Sequence, residues 1–222
     1  MLRLASSSPR RIRLLTLLDI PFRPTAPDVD EARFASPARA KADAVARAGE
    51  VTLAADTEID VDGGRIGKPA DESHAIAMLA NLSGRDHEVR TDVVVVAANG
   101  ARTEFAVRSR VTMRELSLRK IERYVGTGEP LGKAGAYAIQ GEGQRLVESY
   151  DGCLANITGL PLCHVYFALR RVGAVARERP EGVCQAHFAF ACPVWRAAQR
   201  QGRALRDGAE YRSWSEDVSG VE

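Results

Sequence analysis

Hydrophobic positions along the chain change period, and the changes mark its elements. "MLRLA" is a short apolar run that reads as a strand, and "SSSP" breaks it. Ser8 then suits an N-cap and Pro9 the first helical residue, with Ile12, Leu14, Leu15, Leu17 and Leu18 giving the following helix an apolar face. "IPFRPTA" is extended, and Pro21 and Pro24 keep it near a sheet edge. The Ala-rich stretch 36–48, opening on Ser36-Pro37, predicts a second helix. "VTLAA" predicts a buried strand, and "IDVDGGRI" a hairpin turning at Asp62, Gly63 and Gly64. Residues 71–82 carry Ile76, Met78, Leu79 and Leu82 at helical spacing. Two strand-like runs around Asn99-Gly100 make the clearest hairpin. A helix is expected over residues 117–125, short strands between Gly-containing turns in "GKAGAYAIQGEGQRLVESYDG", and the last strong helix over 161–172. Beyond Gly173 the pattern weakens. "GAVARERPEGVCQ" reads as loop, 185–205 as a helix interrupted at Pro193, and the polar segment from Arg206 as disordered. Mixed helices and strands with a long antiparallel hairpin predict an α/β or α+β sheet protein.

Composition narrows the function classes. The 222 residues are 45% hydrophobic and 27% charged, as expected of a globular chain. Its net charge of +2, from 31 basic and 29 acidic residues, provides no global field for nucleic acid or a membrane surface, so neither is expected as a partner. No apolar run approaches the ~20 residues of a membrane span, and the N-terminus lacks the apolar core of a secretory signal, which points to the cytoplasm. Cys153, Cys163, Cys184 and Cys192 form no C-x-x-C pair and are expected as reduced thiols.

Charge is uneven locally. Residues 1–15 hold Arg3, Arg10, Arg11 and Arg13 and no acid, the first acid being Asp19. An Arg/Ser-rich, acid-free start is the pattern of a targeting peptide, and equally of a phosphate-holding loop. The predicted strand–loop–helix with a core-facing side favours the second. There Ser6, Ser7 and Ser8 offer hydroxyls, and Arg10 and Arg11 forked cationic donors. Asp56, placed at the end of a predicted buried strand, is either a turn aspartate or a carboxylate that holds a metal or orients water. Lys41 and Lys68 are solvated lysines or anion ligands, and Gln140 is a turn residue or a contact to a planar ligand. "GEPLGKA" misses the P-loop spacing, "GEGQRL" the dinucleotide fingerprint and "DVDGG" the calcium loop, and the four histidines have no metal spacing.

The segments "LASSSPRR", "DVDE", "ARAKA", "AADT", "GKP", "LSGRDHEV", "Y...GEPLGKAGAYAIQG" and "GLPL", in this order over about residues 1–172, resemble the Maf family of nucleoside triphosphate pyrophosphatases. The resemblance implies a two-lobed, inosine-triphosphatase-like α/β fold with an elongated mixed central sheet, flanking helices and a central cleft. It implies hydrolysis between the α and β phosphates, a divalent cation (Mg²⁺, with Mn²⁺ or Co²⁺ as alternatives) and a homodimer. Asp56 matches the family's proton acceptor and Glu31 ends its acidic motif, so both become catalytic and metal-ligand candidates. Lys68 joins them as catalytic, while Ser6, Ser8, Arg10, Arg11, Lys41, Thr57 and Gln140 match substrate positions. Arg10, Thr57 and Gln140 match the branch acting on dTTP and UTP, where a 7-methyl-GTP branch carries Trp, Gln and Glu. Ala55 and Ala138 replace glycines common in the family, and Glu58 adds a carboxylate that either perturbs Asp56 or binds metal. Residues 173–222 are expected as an extension, partly helical or disordered. The rival class is a non-catalytic nucleotide-binding regulator of septum formation and cell division.

Overall fold

A computed structural model describes residues 1–213. Its centre is an eight-stranded mixed sheet whose main path runs β2 (Phe22–Thr25), β1 (Leu2–Ala5), β3 (Val51–Val61), β5 (Asp86–Val96), β6 (Arg102–Met113), β7 (Val147–Asp151). Strand β4 (Gly64–Ile66) pairs with β3, and β8 (Ala209–Arg212) with β6. β1 is parallel to β2 and β3, while β3, β5, β6 and β7 are antiparallel neighbours. The α/β class and elongated mixed sheet expected from the sequence are present. β3, β5 and β6 span its full length, and shorter elements attach to one half or the other.

One face of these long strands alternates in character along their length. Val51, Leu53 and Ala55, with Val93, Val95, Phe105 and Val107, form a core beneath α1 (Pro9–Thr16) and α6 (Leu162–Arg171). Further along the same strands, Ile59, Val61, Val89, Val111 and Met113 form a second core beneath α3 (Glu72–Leu82) and α4 (Leu118–Val125). Between them the face carries Thr57, Thr91 and Ser109, so a row of hydroxyls crosses the sheet and divides the two lobes. Asn156, on the short helix α5 (Leu154–Thr158), covers this seam and donates to Val89 O (3.1 Å) and Ser109 Oγ (3.0 Å). On the opposite face α2 (Pro37–Val45) packs Ala38, Ala42 and Val45 against Ala54, Val94 and Val96.

Asp56 does not end its strand, as the sequence suggested. It lies in the middle of β3, opposite Asp92 of β5. The apolar run stops near residue 55 because the neighbour changes there: β1 pairs with β3 only as far as Ala54, and β4 only from Ile59. Residues 55–58 are therefore a window of strand edge with no ladder partner on that side. The alternation of a strand sends Asp56 and Thr57 to opposite faces, and the open edge exposes both to one cleft.

The segment 133–151 contains one strand, β7, instead of several. Its other parts are 3₁₀ turns at Ala134–Ala136 and Gly141–Leu146. Gly135 needs its missing side chain: its φ is +65° and a Cβ would run into Ile59. After α6, the helix expected over 185–205 with an interruption at Pro193 is present as two pieces. The loop expectation for 173–185 fails where α7 (Pro180–Phe188) begins with Pro180 in its first turn, and α8 (Trp195–Arg203) follows Pro193. Cys184, Val194, Leu205 and Tyr211 belong to the same core as β1 and β3. The disorder expected from Arg206 gives way to β8, parallel to β6, and the rest of that expectation, 214–222, lies outside the described residues.

Candidate active site

The ten candidate residues lie up to 134 positions apart in sequence (Ser6 to Gln140), and all line one cleft of about 470 Å³. The window of β3 supplies Asp56 and Thr57, α2 supplies Lys41, the β1–α1 loop supplies Ser6 and Ser8, and the first turn of α1 supplies Arg10 and Arg11. Glu31 comes from the turn Glu31–Arg33, Lys68 from the segment after β4, and Gln140 from the rim beside the second 3₁₀ turn.

At the β3 end, Lys41 Nζ bridges Asp56 Oδ1 (2.5 Å) and Glu31 Oε1 (2.8 Å), while Lys68 Nζ holds Glu31 Oε2 at 2.7 Å. Lys41 and Asp56 are buried and Glu31 half-exposed. Burial works against the charged form of Glu31, but hydrogen bonds from Lys41 and Lys68 outweigh it and bring its carboxyl down to about 2. Two acids and two ammoniums thus form one chain of alternating charge. Among the described residues no cluster of three or more His, Cys, Asp or Glu is arranged to hold a metal. Glu58 does not line the cleft, and its Oε2 lies 3.3 Å from Arg65 Nη1.

The β1–α1 loop contributes the N-terminus of α1. Ser6 Oγ accepts from the Ser8 N–H (3.1 Å), Ser8 makes no side-chain cap bond, and the first turn contains no acid. Such a terminus attracts anions. The two arginines diverge. Arg11 turns inward, Nε donating to Gly159 O (2.9 Å) and Nη2 to Thr57 Oγ1 (3.0 Å). Two of its donors are committed to the wall, and burial pulls its pKa below the ordinary arginine value against the attraction of Asp56. Arg10 makes no hydrogen bond or ion pair to a described residue. Burial also lowers its pKa, opposed by Tyr124 and Glu129.

Sequence reasoning missed Lys133, which lines the cleft and donates to Glu129 O. Burial and then the nearby charge of Arg10 lower its pKa. A lysine in the Gly-bounded "GKAG" was the available signal. It missed Tyr137 too, whose hydroxyl meets buried His87 Nε2 at 2.7 Å. Ile59, Val89, Ala138, Ile139 and Ile157 supply an apolar part of the lining. Ala138 has no left-handed backbone, so an alanine in place of glycine imposes no strain there, and its N–H donates to Tyr124 Oη (3.1 Å). Gln140 is exposed, and its amide has no described hydrogen-bond partner.

Comparison with known proteins covers most of this architecture. The chain is 44% identical over 185 residues to the dTTP/UTP pyrophosphatase of Geotalea uraniireducens (strain Rf4), an alignment spanning 78% of this chain and 95% of that protein. It is 44% identical over 184 residues to the dTTP/UTP pyrophosphatase of Myxococcus xanthus (strain DK1622), spanning 78% and 93%. Against the protein of the same description from Acinetobacter baylyi, identity is 40% over 182 residues, spanning 77% and 99%. The profile described as "Maf-like protein" matches residues 1–172, which contain every residue of the cleft described above, and the chain belongs to that family.

Proposed function

We propose that the protein hydrolyses dTTP and UTP at the bond between the α and β phosphates, releasing the monophosphate and pyrophosphate. The observation that carries this reading is the buried Asp56 carboxylate, linked through Lys41 to Glu31, at one end of a cleft otherwise rich in cationic and N–H donors. A polyphosphate needs such donors, and an attacking water needs a carboxylate beside it. The names of the curated relatives point to the same reaction.

Asp56 orients the water and takes its proton as the oxygen attacks the α-phosphorus. The bridging α–β oxygen leaves with pyrophosphate, and Lys41, Lys68 and the α1 N-terminus stabilise the charge that develops there. The apolar lining receives the base, with Thr57 and Gln140 at its polar edge and Arg10 beside it. A divalent cation fits the donor set. Glu31 and Asp56 already share one cation, the Lys41 ammonium, and Mg²⁺ typically takes one or two protein carboxylates and completes its shell with phosphate oxygens and water. When bound it neutralises charge on the polyphosphate. Mn²⁺ and Co²⁺ accept the same oxygen donors. A cytoplasmic homodimer with residues 173–222 as an added extension completes the reading, and light scattering reports the oligomer.

The test is pyrophosphate release from a nucleotide panel, with Asp56→Asn beside the wild type. The expected result is cation-dependent release from dTTP and UTP, with ¹⁸O from labelled water in the monophosphate. No release from any triphosphate, or equal rates for Asp56→Asn, overturns the proposal, and tight binding without turnover would favour a regulator.

A further inference from the structure

The hydroxyl of Thr57 belongs to a line of contacts running from the cleft wall into the sheet. Arg11 Nη2 donates to Thr57 Oγ1 at 3.0 Å, Thr57 Oγ1 lies 3.0 Å from Thr91 Oγ1, and Thr91 Oγ1 donates to the Asn156 carbonyl at 3.1 Å. A guanidinium only donates, a carbonyl only accepts, and each hydroxyl has one hydrogen. One assignment alone makes all three contacts hydrogen bonds: Arg11 to Thr57, Thr57 to Thr91, Thr91 to Asn156. Reversing the middle bond leaves the Thr91–Asn156 contact without a hydrogen. Thr91 is fully buried, so water cannot replace that partner.

Both ends of the line are fixed. Arg11 Nε donates to Gly159 O (2.9 Å), and Asn156 Nδ2 donates to Val89 O (3.1 Å) and Ser109 Oγ (3.0 Å). Bonds in such a line polarise one another in the same sense. The Thr57 hydrogen therefore points away from the cleft, and what remains for a ligand is a lone pair.

We propose that Thr91, backed by Asn156, is a positioning residue for base selection: it fixes Thr57 as a hydrogen-bond acceptor, so that the cleft selects a base presenting a ring N–H. Uracil and thymine present N3–H at the centre of their polar edge. Cytosine presents a bare N3 lone pair, which would face the Thr57 lone pair with no hydrogen between them. The inference rests on the proposed function, in which Thr57 meets the base.

The experiment measures kcat/KM for UTP, CTP and N3-methyl-UTP with the wild type, Thr91→Val, Thr91→Ser and Thr57→Val. The wild type should prefer UTP over both others. Thr91→Val releases the Thr57 hydrogen to turn toward the ligand, and the UTP/CTP ratio should narrow by about tenfold, the value of one such bond at a desolvated site. Thr91→Ser keeps a hydroxyl and should keep the wild-type ratio. A merely structural role for Thr91 would lower both substrates equally. An unchanged ratio in Thr91→Val, or the same change in Thr91→Ser, overturns the inference. If Thr57→Val shifts the ratio and Thr91→Val does not, the relay alone fails. If Thr57→Val leaves the ratio unchanged, the base contact on which it rests fails as well. Should Thr91→Val not fold, the wild type still decides, because equal kcat/KM for UTP and N3-methyl-UTP refutes selection of a ring N–H.

Discussion

Replacing Lys41 by Met isolates the contribution of the charge chain. The side chains of Lys41 and Asp56 are 5% and 8% exposed, and their charged atoms lie 2.5 Å apart. At an effective dielectric constant of 20, that separation corresponds to a gross attraction of about 6–7 kcal/mol. Methionine fills similar volume but leaves Asp56 desolvated without its ammonium, while Glu31 retains Lys68. Removing one partner of a buried pair costs about 3–5 kcal/mol, less than the gross attraction because the orphaned group relaxes and recruits water. For a chain of this size the loss corresponds to a fall in melting temperature of about 10 °C. Thermal unfolding by circular dichroism should compare Lys41→Met, Asp56→Asn and the double variant. The double variant, which has no orphaned charge, should recover at least about 2 kcal/mol relative to the sum of the singles. Simple additivity, or a Lys41→Met variant as stable as the wild type, would refute the claim that Lys41 neutralises Asp56 in the folded protein.

Other consequences follow from buried groups elsewhere. Burial depresses His87 and His164 from 6.5 to about 4. The unfolded chain then takes up these protons first on acidification, so stability is full above pH 6.5 and is lost as pH falls toward 4. By pH 5 each histidine should cost about 2 kcal/mol. Urea unfolding at pH 7.5 and 5 checks this, and His164→Gln should remove about half of the difference. Burial raises the thiols of Cys153, Cys163 and Cys192, and pushes Cys184 up to about 12. The native protein should therefore react slowly with a disulfide reagent such as DTNB and show four thiols on denaturation. Truncation after residue 172 removes Cys184, Val194, Leu205 and Tyr211 from the core. The shortened chain should lose near-ultraviolet circular dichroism and bind ANS, whereas an unchanged melting temperature would show the extension to be dispensable to folding.

The sequence made the separate pieces legible and left their connections hidden. Ser8 and Pro9 announced α1, Ser36-Pro37 announced α2, and the "DGG" turn closed β3 onto β4. Those are local signals, carried by a few adjacent residues. The window at residues 55–58 was not legible, because it depends on where β1 and β4 stop, and strand ends are decided by distant partners. Arg11 looked equivalent to Arg10, yet its acceptor Gly159 lies 148 positions away. In the extension, the loop expected up to Gln185 and the disorder expected from Arg206 failed for another reason. Its apolar contacts come from single residues such as Val183, Cys184 and Phe188, too sparse for a clear stripe. β8 did carry a period-2 sign, with Tyr211 buried between exposed Glu210 and Arg212, though four residues are short for a confident pattern.

β8 also decides what can attach to the sheet. Along the outer side of β6, β7 pairs with residues 110–113 and β8 with residues 105–108. Without β8, the second stretch would be an open strand edge, the kind of surface that recruits strands from other molecules. With it, the boundary moves outward to four residues carrying Glu210, which also holds Arg90 and Arg108 from the sheet face. At the far end of the sheet, β2 is equally short and contains Pro24, which has no N–H to offer. β8 and β2 thus discourage growth by strand addition along the edges they occupy.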